Sequence, residues 1–279
     1  MNRMKSLILF AIICLVVFAT GCVGNTTTEH TTDEAMVQEM QQRLSGVSTA
    51  IQEHLAVMDT QTEEASIELT VLPLAGTEAG VVLSGLVSSD ASVVNAVTEN
   101  TIPVIVNAEP KSSSFIIGKN LSDVPGYTSR ISDPGPDLSG VFMLEQGVPG
   151  AVISYPIYAE NNTLRGLVET AFVPDHLIGP IAEEATAGNS FEVWVTQTDG
   201  TQIYDANVEE VYRNLFSDIS YQEETVQAMV EQVITEPEGR SSYTYWNEEM
   251  NKIVTKFVIW DTVGLHGTNW RVALATPVE

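Results

Sequence analysis

Apolar positions along this chain follow two different periods. Near the start they recur at Met36, Met40, Leu44, Val47, Ile51, Leu55 and Met58, in steps of three and four. That spacing puts one apolar stripe along a long amphipathic helix. Thr32 or Asp33 supplies the N-cap, and acidic residues in the first turn complement the helix dipole. The helix is expected to run to Leu69 or Leu72, where Pro73, Gly76 and Gly80 end it. It is too long for a compact crossover, so it should lie along more than one unit of the fold. The alternative is a coiled-coil homodimer through the same stripe.

Further on, β-branched and aromatic residues gather in short runs bounded by turn residues. The clearest stretch is Val148 to Val173, two strands joined by Glu160-Asn161-Asn162-Thr163, with Gly166 marking a bulge or a close approach. Before it, the pattern predicts a short helix over Ser88–Asn100 and strands over Ile102–Ala108 and Phe115–Ile117. An irregular loop follows over Lys119–Pro136, then a strand over Leu138–Leu144. After it come a linking helix over Ile178–Ala187 and a strand over Phe191–Thr196, turning at Asp199-Gly200 into Gln202–Tyr204. Helices are expected over Val208–Phe216 and Glu223–Ile234, then strands over Ser241–Trp246, Lys252–Trp260 and Trp270–Ala275. The fold class read from this order is α+β: a long N-terminal helix followed by two modules of the same grammar, each of strands and helices.

The first residues are a processing signal rather than part of that fold. Arg3 and Lys5 precede an apolar run from Leu7 to Ala19, and Ala19-Thr20-Gly21-Cys22 sets small residues directly before a cysteine. The pattern resembles a lipobox, with Cys22 lipidated as the first residue of the mature chain; an uncleaved anchor is the alternative. Residues 1–21 are then the signal peptide and 22–32 a polar, threonine-rich tether. The helix and its connection occupy 33–87, and the two modules 88–187 and 188–279.

Cys14 and Cys22 are the only cysteines, so the mature chain has no internal disulfide and depends on its core. The formal charge of −25, which loss of Arg3 and Lys5 makes more negative by two, excludes nucleic acid as a partner and disfavours anionic lipid surfaces. Asn-x-Ser/Thr triplets at Asn25, Asn120 and Asn161 are compatible with surface glycosylation. His30, His54, His176 and His266 are isolated, and neither His-Glu-x-x-His nor Cys-x-x-Cys occurs, so no metal or other cofactor is expected. No nucleophile elbow or triad signature argues for an enzyme.

The order of elements carries a resemblance. A first module ending in SYPIYAENNTLRGLVETAFV is followed by a second running from WVTQTDGTQIYD through GRSSYTYW to TNWRVALATP. Across residues 33 to 277 this resembles the double Cache family, extracytoplasmic sensor domains of two PAS-like modules, and the resemblance implies that each module is an antiparallel sheet flanked by helices. The resemblance implies a small-molecule pocket in the membrane-distal module, between its sheet and the loop crossing it. Projected onto this chain, Tyr127 and Arg130 lie on the loop, and Phe142, Ser154 and Glu169 face them from strands. The amino-acid-binding branch has an arginine followed by an aromatic pair and an aspartate on the last strand. Here Ile131-Ser132-Asp133 follows Arg130, and Ala171 stands at the aspartate position. Glu169, two residues earlier on the same strand face, could take the cation-pairing role instead.

The residues have plainer readings too. Arg130 could form a surface ion pair, and Tyr127 and Phe142 could be core. Glu169 in an apolar strand needs a partner, Arg130, Arg165 or a ligand, because an unpaired buried carboxylate is costly. No apolar run after Cys22 is long enough to span a membrane. The expectation is therefore a lipid-anchored sensor-like protein that binds a small polar or carboxylated metabolite, lacks its own output domain and serves a separate membrane signalling or transport partner. A structural role through the long helix, and less so a hydrolase, are the alternatives.

Overall fold

The computed structural model describes residues 34–71, 91–95, 107–109, 126–144, 147–247 and 250–278. The expected signal peptide, Cys22, the expected tether and the strand expected over Phe115–Ile117 lie outside them. Helix α1 (Glu34–Val71) has the extent its apolar period predicts. Its stripe faces the protein: Met40, Leu44, Val47, Ile51, Leu55 and Met58 are all buried. They share one core with residues of both sheets described below, so α1 is a spine against which both sheets pack. The face a coiled coil would use is therefore consumed within the chain.

The first sheet, among the described residues, contains β1 (Ala91–Asn95), β2 (Asn107–Glu109), β3 (Asp137–Leu138), β4 (Phe142–Met143), β5 (Pro149–Tyr158) and β6 (Leu164–Phe172). Its order is β2-β1-β6-β5-β3, with β4 also on β5, and every pairing is antiparallel. The β5–β6 hairpin is the predicted one, and Asn162 in its turn takes φ 63°, a left-handed conformation that asparagine tolerates. Pro174 opens α3 (Pro174–Thr186), four residues before the expected start, because proline is preset for the first helical position.

The second sheet contains β7 (Glu192–Gln197), β8 (Gln202–Asp205), β9 (Gly239–Asn247), β10 (Lys252–Leu265) and β11 (Thr268–Val278), in the order β8-β7-β11-β10-β9. Helix α4 (Glu224–Thr235) packs Val226, Met229, Val230 and Val233 on one face of it, and α1 packs on the other. Strand alternation supplies both layers: Val193 and Val195 belong to the α1 core, and Trp194 between them belongs to the α4 core.

Three expectations fail, each for a reason beyond local pattern. The helix expected over Ser88–Asn100 fails in its described part: Ala91–Asn95 is strand β1, antiparallel to β6 on one side and β2 on the other. The edge of β6 offers a full row of backbone partners, and that outweighs a capping serine or aspartate. Val208–Phe216 is a run of turns, because the Asn207 and Asn214 side chains bind nearby backbone N–H groups, and Tyr212 N–H donates to the Gln202 carbonyl. Leu138–Leu144 is broken into β3 and β4, since Val141 N–H donates to Gln197 Oε1 of the second sheet at 2.8 Å instead of to a strand. The loop Lys119–Pro136 also contains one short helix, α2 (Tyr127–Ser132).

Candidate functional site

The register of the first sheet lines up three polar residues. Asp137 on β3 is opposite Ser154 on β5, which is opposite Glu169 on β6. Arg130 is brought to this row by α2, whose start is set by Gly126 at φ 74°, a conformation suited to glycine. From the last turn of α2, where a cation complements the dipole, Arg130 Nη1 donates to Asp137 Oδ2 at 3.5 Å. Its Nε lies 3.6 Å from Glu169 Oε1. Both Arg130 and Glu169 are buried, whereas the Asp137 side chain is about a third exposed, at 35%.

Burial raises the pKa of Glu169 above its ordinary value; Arg130 opposes that and Asp137 adds to it. Glu169 Oε1 and the fully buried Ser154 Oγ have no hydrogen-bond partner among the described residues. Such groups are costly when buried.

In front of this row lies a cavity of about 600 Å³, within the usual range for small-molecule sites. Arg130, Phe142, Asp133 and Pro136 line it, and Thr268 closes it from the second sheet. Thr268 Oγ1 donates to the Leu138 carbonyl at 2.6 Å, so the first residue of β11 fixes the cavity's edge. The Tyr158 hydroxyl, donating to the Pro134 carbonyl at 3.4 Å, ties the loop after α2 to the sheet.

Of the five residues projected from sequence, Arg130 and Phe142 reach the cavity, while Ser154 and Glu169 lie behind its lining with Arg130 beside Glu169. Tyr127 opens α2, but its side chain is outside the described set. Asp137, the second carboxylate on Arg130, was not anticipated. Only strand register reveals it, since nothing in Pro134-Gly135-Pro136-Asp137 singles that aspartate out. Of the histidines, His54 Nδ1 is 2.8 Å from the Ala50 carbonyl, and His266 meets Asp59 of α1 at 2.7 Å. Among the described residues no group of three or more His, Cys, Asp or Glu is placed to hold a metal ion.

Residues 53–174 match the family model described as HK/GC/Chemotaxis protein-like, sensor domain. The chain has a Cache-type fold. An extracellular ligand binding receptor from Desulfohalobium retbaense superposes with a TM-score of 0.64 at 23% identity, over 88% of this chain and 41% of that one. This chain thus spans less than half of that receptor. The ligand-binding domain of the Pseudomonas fluorescens chemoreceptor CtaA, solved with L-serine, gives 0.57 at 13% identity over 88% of this chain and 99% of its own. That of the Pseudomonas aeruginosa chemoreceptor PctC, solved with GABA, gives 0.56 at 13% over 86% and 98%. No curated protein matches the chain. Among the described residues no helix is long and apolar enough to cross a membrane.

Proposed function

We propose that this chain is an extracytoplasmic sensor-like protein, tethered by a lipid on Cys22, that binds a small polar or carboxylated metabolite. The site is the cavity of the first module (88–187), which would be the membrane-distal one, with the second (188–279) proximal. The observation that carries this reading is the buried Arg130–Glu169 contact behind a cavity of about 600 Å³, with Asp137 on the same guanidinium. A guanidinium suits a ligand carboxylate or hydroxyl, and Glu169 and Asp137 suit a ligand amine or hydroxyl. Related folds solved with L-serine and GABA are consistent with ligands of this size. The liganded state would be read by a membrane signalling or transport partner.

A thermal-shift screen of the chain after Cys22 against amino acids, organic acids, amines and polyols tests it. A ligand at a hundred times its Kd contributes about 2.7 kcal/mol, which raises Tm by roughly 5–10 °C for a domain of this size. The same ligand should lose that shift in Arg130→Met. No shift with any class, or a shift indifferent to Arg130, counts against the site.

A further inference from the structure

The second sheet carries a cavity of its own, of about 410 Å³, on the face covered by α4. It lies between the strands, α4 and the loop of turns that replaced the expected helix at Val208–Phe216. That loop is pinned across the sheet: Gln227 Nε2 on α4 donates to the carbonyls of Leu215 and Tyr221, each at 2.8 Å. The start of α4 is fastened to β9, where Thr225 Oγ1 donates to the Thr244 carbonyl at 2.6 Å. The cavity is thus a built feature of the module.

One wall is apolar and aromatic. Trp194, Met229 and Val230 form its base, and Tyr243 and Tyr245 stack beside them with ring centroids 6.0 Å apart. The opposite wall is a polar chain. Tyr221 donates its hydroxyl to Glu210 and sits 3.0 Å from Gln202 Oε1, and Gln202 Nε2 donates to Asp205 Oδ2 at 2.8 Å. Glu192, Asp205 and Glu210 bring three carboxylates to the lining and Lys256 brings one ammonium. Lys256 is already engaged, bonded to Glu192 and placed 5.4 Å from the centroid of the Tyr245 ring. A carboxylate and an aromatic face holding an ammonium is the arrangement that recognises organic cations.

After that pairing, Asp205 is held by the Gln202 amide and the Asn207 N–H, and Glu210 has Arg213 Nη1 at 3.8 Å from outside the cavity lining. Burial pushes the Asp205 carboxyl up to about 6; the Asn207 N–H opposes this, Glu210 and Glu192 reinforce it, and Lys256 opposes it. The phenols of Tyr221, Tyr243 and Tyr245 are the other titratable groups lining the cavity with these residues.

We propose that this cavity is a second ligand site, taking a small organic cation: an ammonium on an apolar or aromatic body. Asp205 and Glu210 are its counter-ions, and Trp194 with the Tyr243–Tyr245 pair is its wall. The inference does not depend on the reading of the first cavity, from which it differs in location, lining and ligand charge.

Calorimetric titration of the full chain with 2-phenylethylammonium and benzyltrimethylammonium, against 3-phenylpropionate, tests it. At pH 7.5 at least one of the two cations should bind with one equivalent per chain, and the carboxylate, with a comparable aromatic body, should not bind. Cation affinity should fall at least fivefold between pH 7 and pH 5, as Asp205 takes up its proton. Asp205→Asn should weaken binding at least tenfold. Should Asp205→Asn melt abnormally, Glu210→Gln on the crossing loop gives the same test, and Glu64→Gln on the exposed face of α1 controls for net charge alone. No binding of either cation overturns the proposal. Equal binding of 3-phenylpropionate, or affinity unmoved by both Asp205→Asn and Glu210→Gln, also overturns it.

Discussion

Arg130→Met isolates the electrostatics of the first cavity. It removes the cation 3.6 Å from Glu169 and 3.5 Å from Asp137 and keeps much of the apolar stem. Leaving a buried carboxylate without its cation costs about 3–5 kcal/mol when the charge cannot escape. Glu169 has an escape, because it can take up a proton. The cost of holding a carboxyl of ordinary pKa 4.5 protonated at pH 7 is about 3.4 kcal/mol, at about 1.36 kcal/mol per pH unit. That sets a ceiling of roughly 3.4 kcal/mol on the contribution of Glu169 at pH 7; Asp137 adds little because water reaches it.

The sign follows from linkage. The folded pKa of Glu169 is already raised by burial despite Arg130, so the native state binds the more protons above pH 4.5, and its stability falls as pH rises from there through the raised value. Removing Arg130 raises that value further. The destabilisation caused by Arg130→Met should therefore grow with pH, by up to about 1.4 kcal/mol per unit above the wild-type value, and shrink toward pH 5. Urea unfolding at pH 5, 6, 7 and 8, followed by the fluorescence of the buried Trp260 and Trp270, measures it. Adding Glu169→Gln to Arg130→Met should abolish the pH-dependent part. A destabilisation constant from pH 5 to pH 8, or a double variant that keeps the slope, would refute Glu169 as the responding group.

Two further predictions concern the scaffold. Leu55→Ala, at a position of α1 with no exposed surface, should cost about 2–5 kcal/mol in urea unfolding, whereas Val57→Ala at 56% exposure should stay within about 0.5 kcal/mol; equal effects would mean that α1 is not the shared spine. Gly264→Ala would place its Cβ 2.1 Å from the Thr268 backbone oxygen in the β10–β11 ladder and should lower stability by at least about 2 kcal/mol. Gly46→Ala meets nothing within 4 Å on α1 and should raise stability by about 0.5–1 kcal/mol. Thermal melts that rank these two glycine variants the other way would contradict the packing described.

The amino-acid sequence by itself determined α1, the β5–β6 hairpin, α4 and the strands of the second sheet. Each of these carries its own period of apolar residues together with residues that stop it, and both are local properties. The apolar stripe of α1 also carried its role as a spine, because so long a stripe needs more than one partner surface. Ala91–Asn95 was decided by the tertiary structure: Ser88, Ser89 and Asp90 just before it are good helix starters, yet the open edge of β6 supplies backbone bonds that no local pattern encodes. Both candidate sites are likewise non-local. Asp137, Ser154 and Glu169 meet through strand register, and Arg130 reaches them from a short helix across the sheet. Asp205, Glu210 and Tyr221 converge only because the 208–216 segment folds as turns over β8 instead of as a helix. Arg130 and Glu169 could be singled out in the sequence because a guanidinium and a carboxylate among apolar neighbours demand partners. Which partners they found was settled by the pairing of distant strands, since chain entropy and register act over the whole fold rather than within a window of residues.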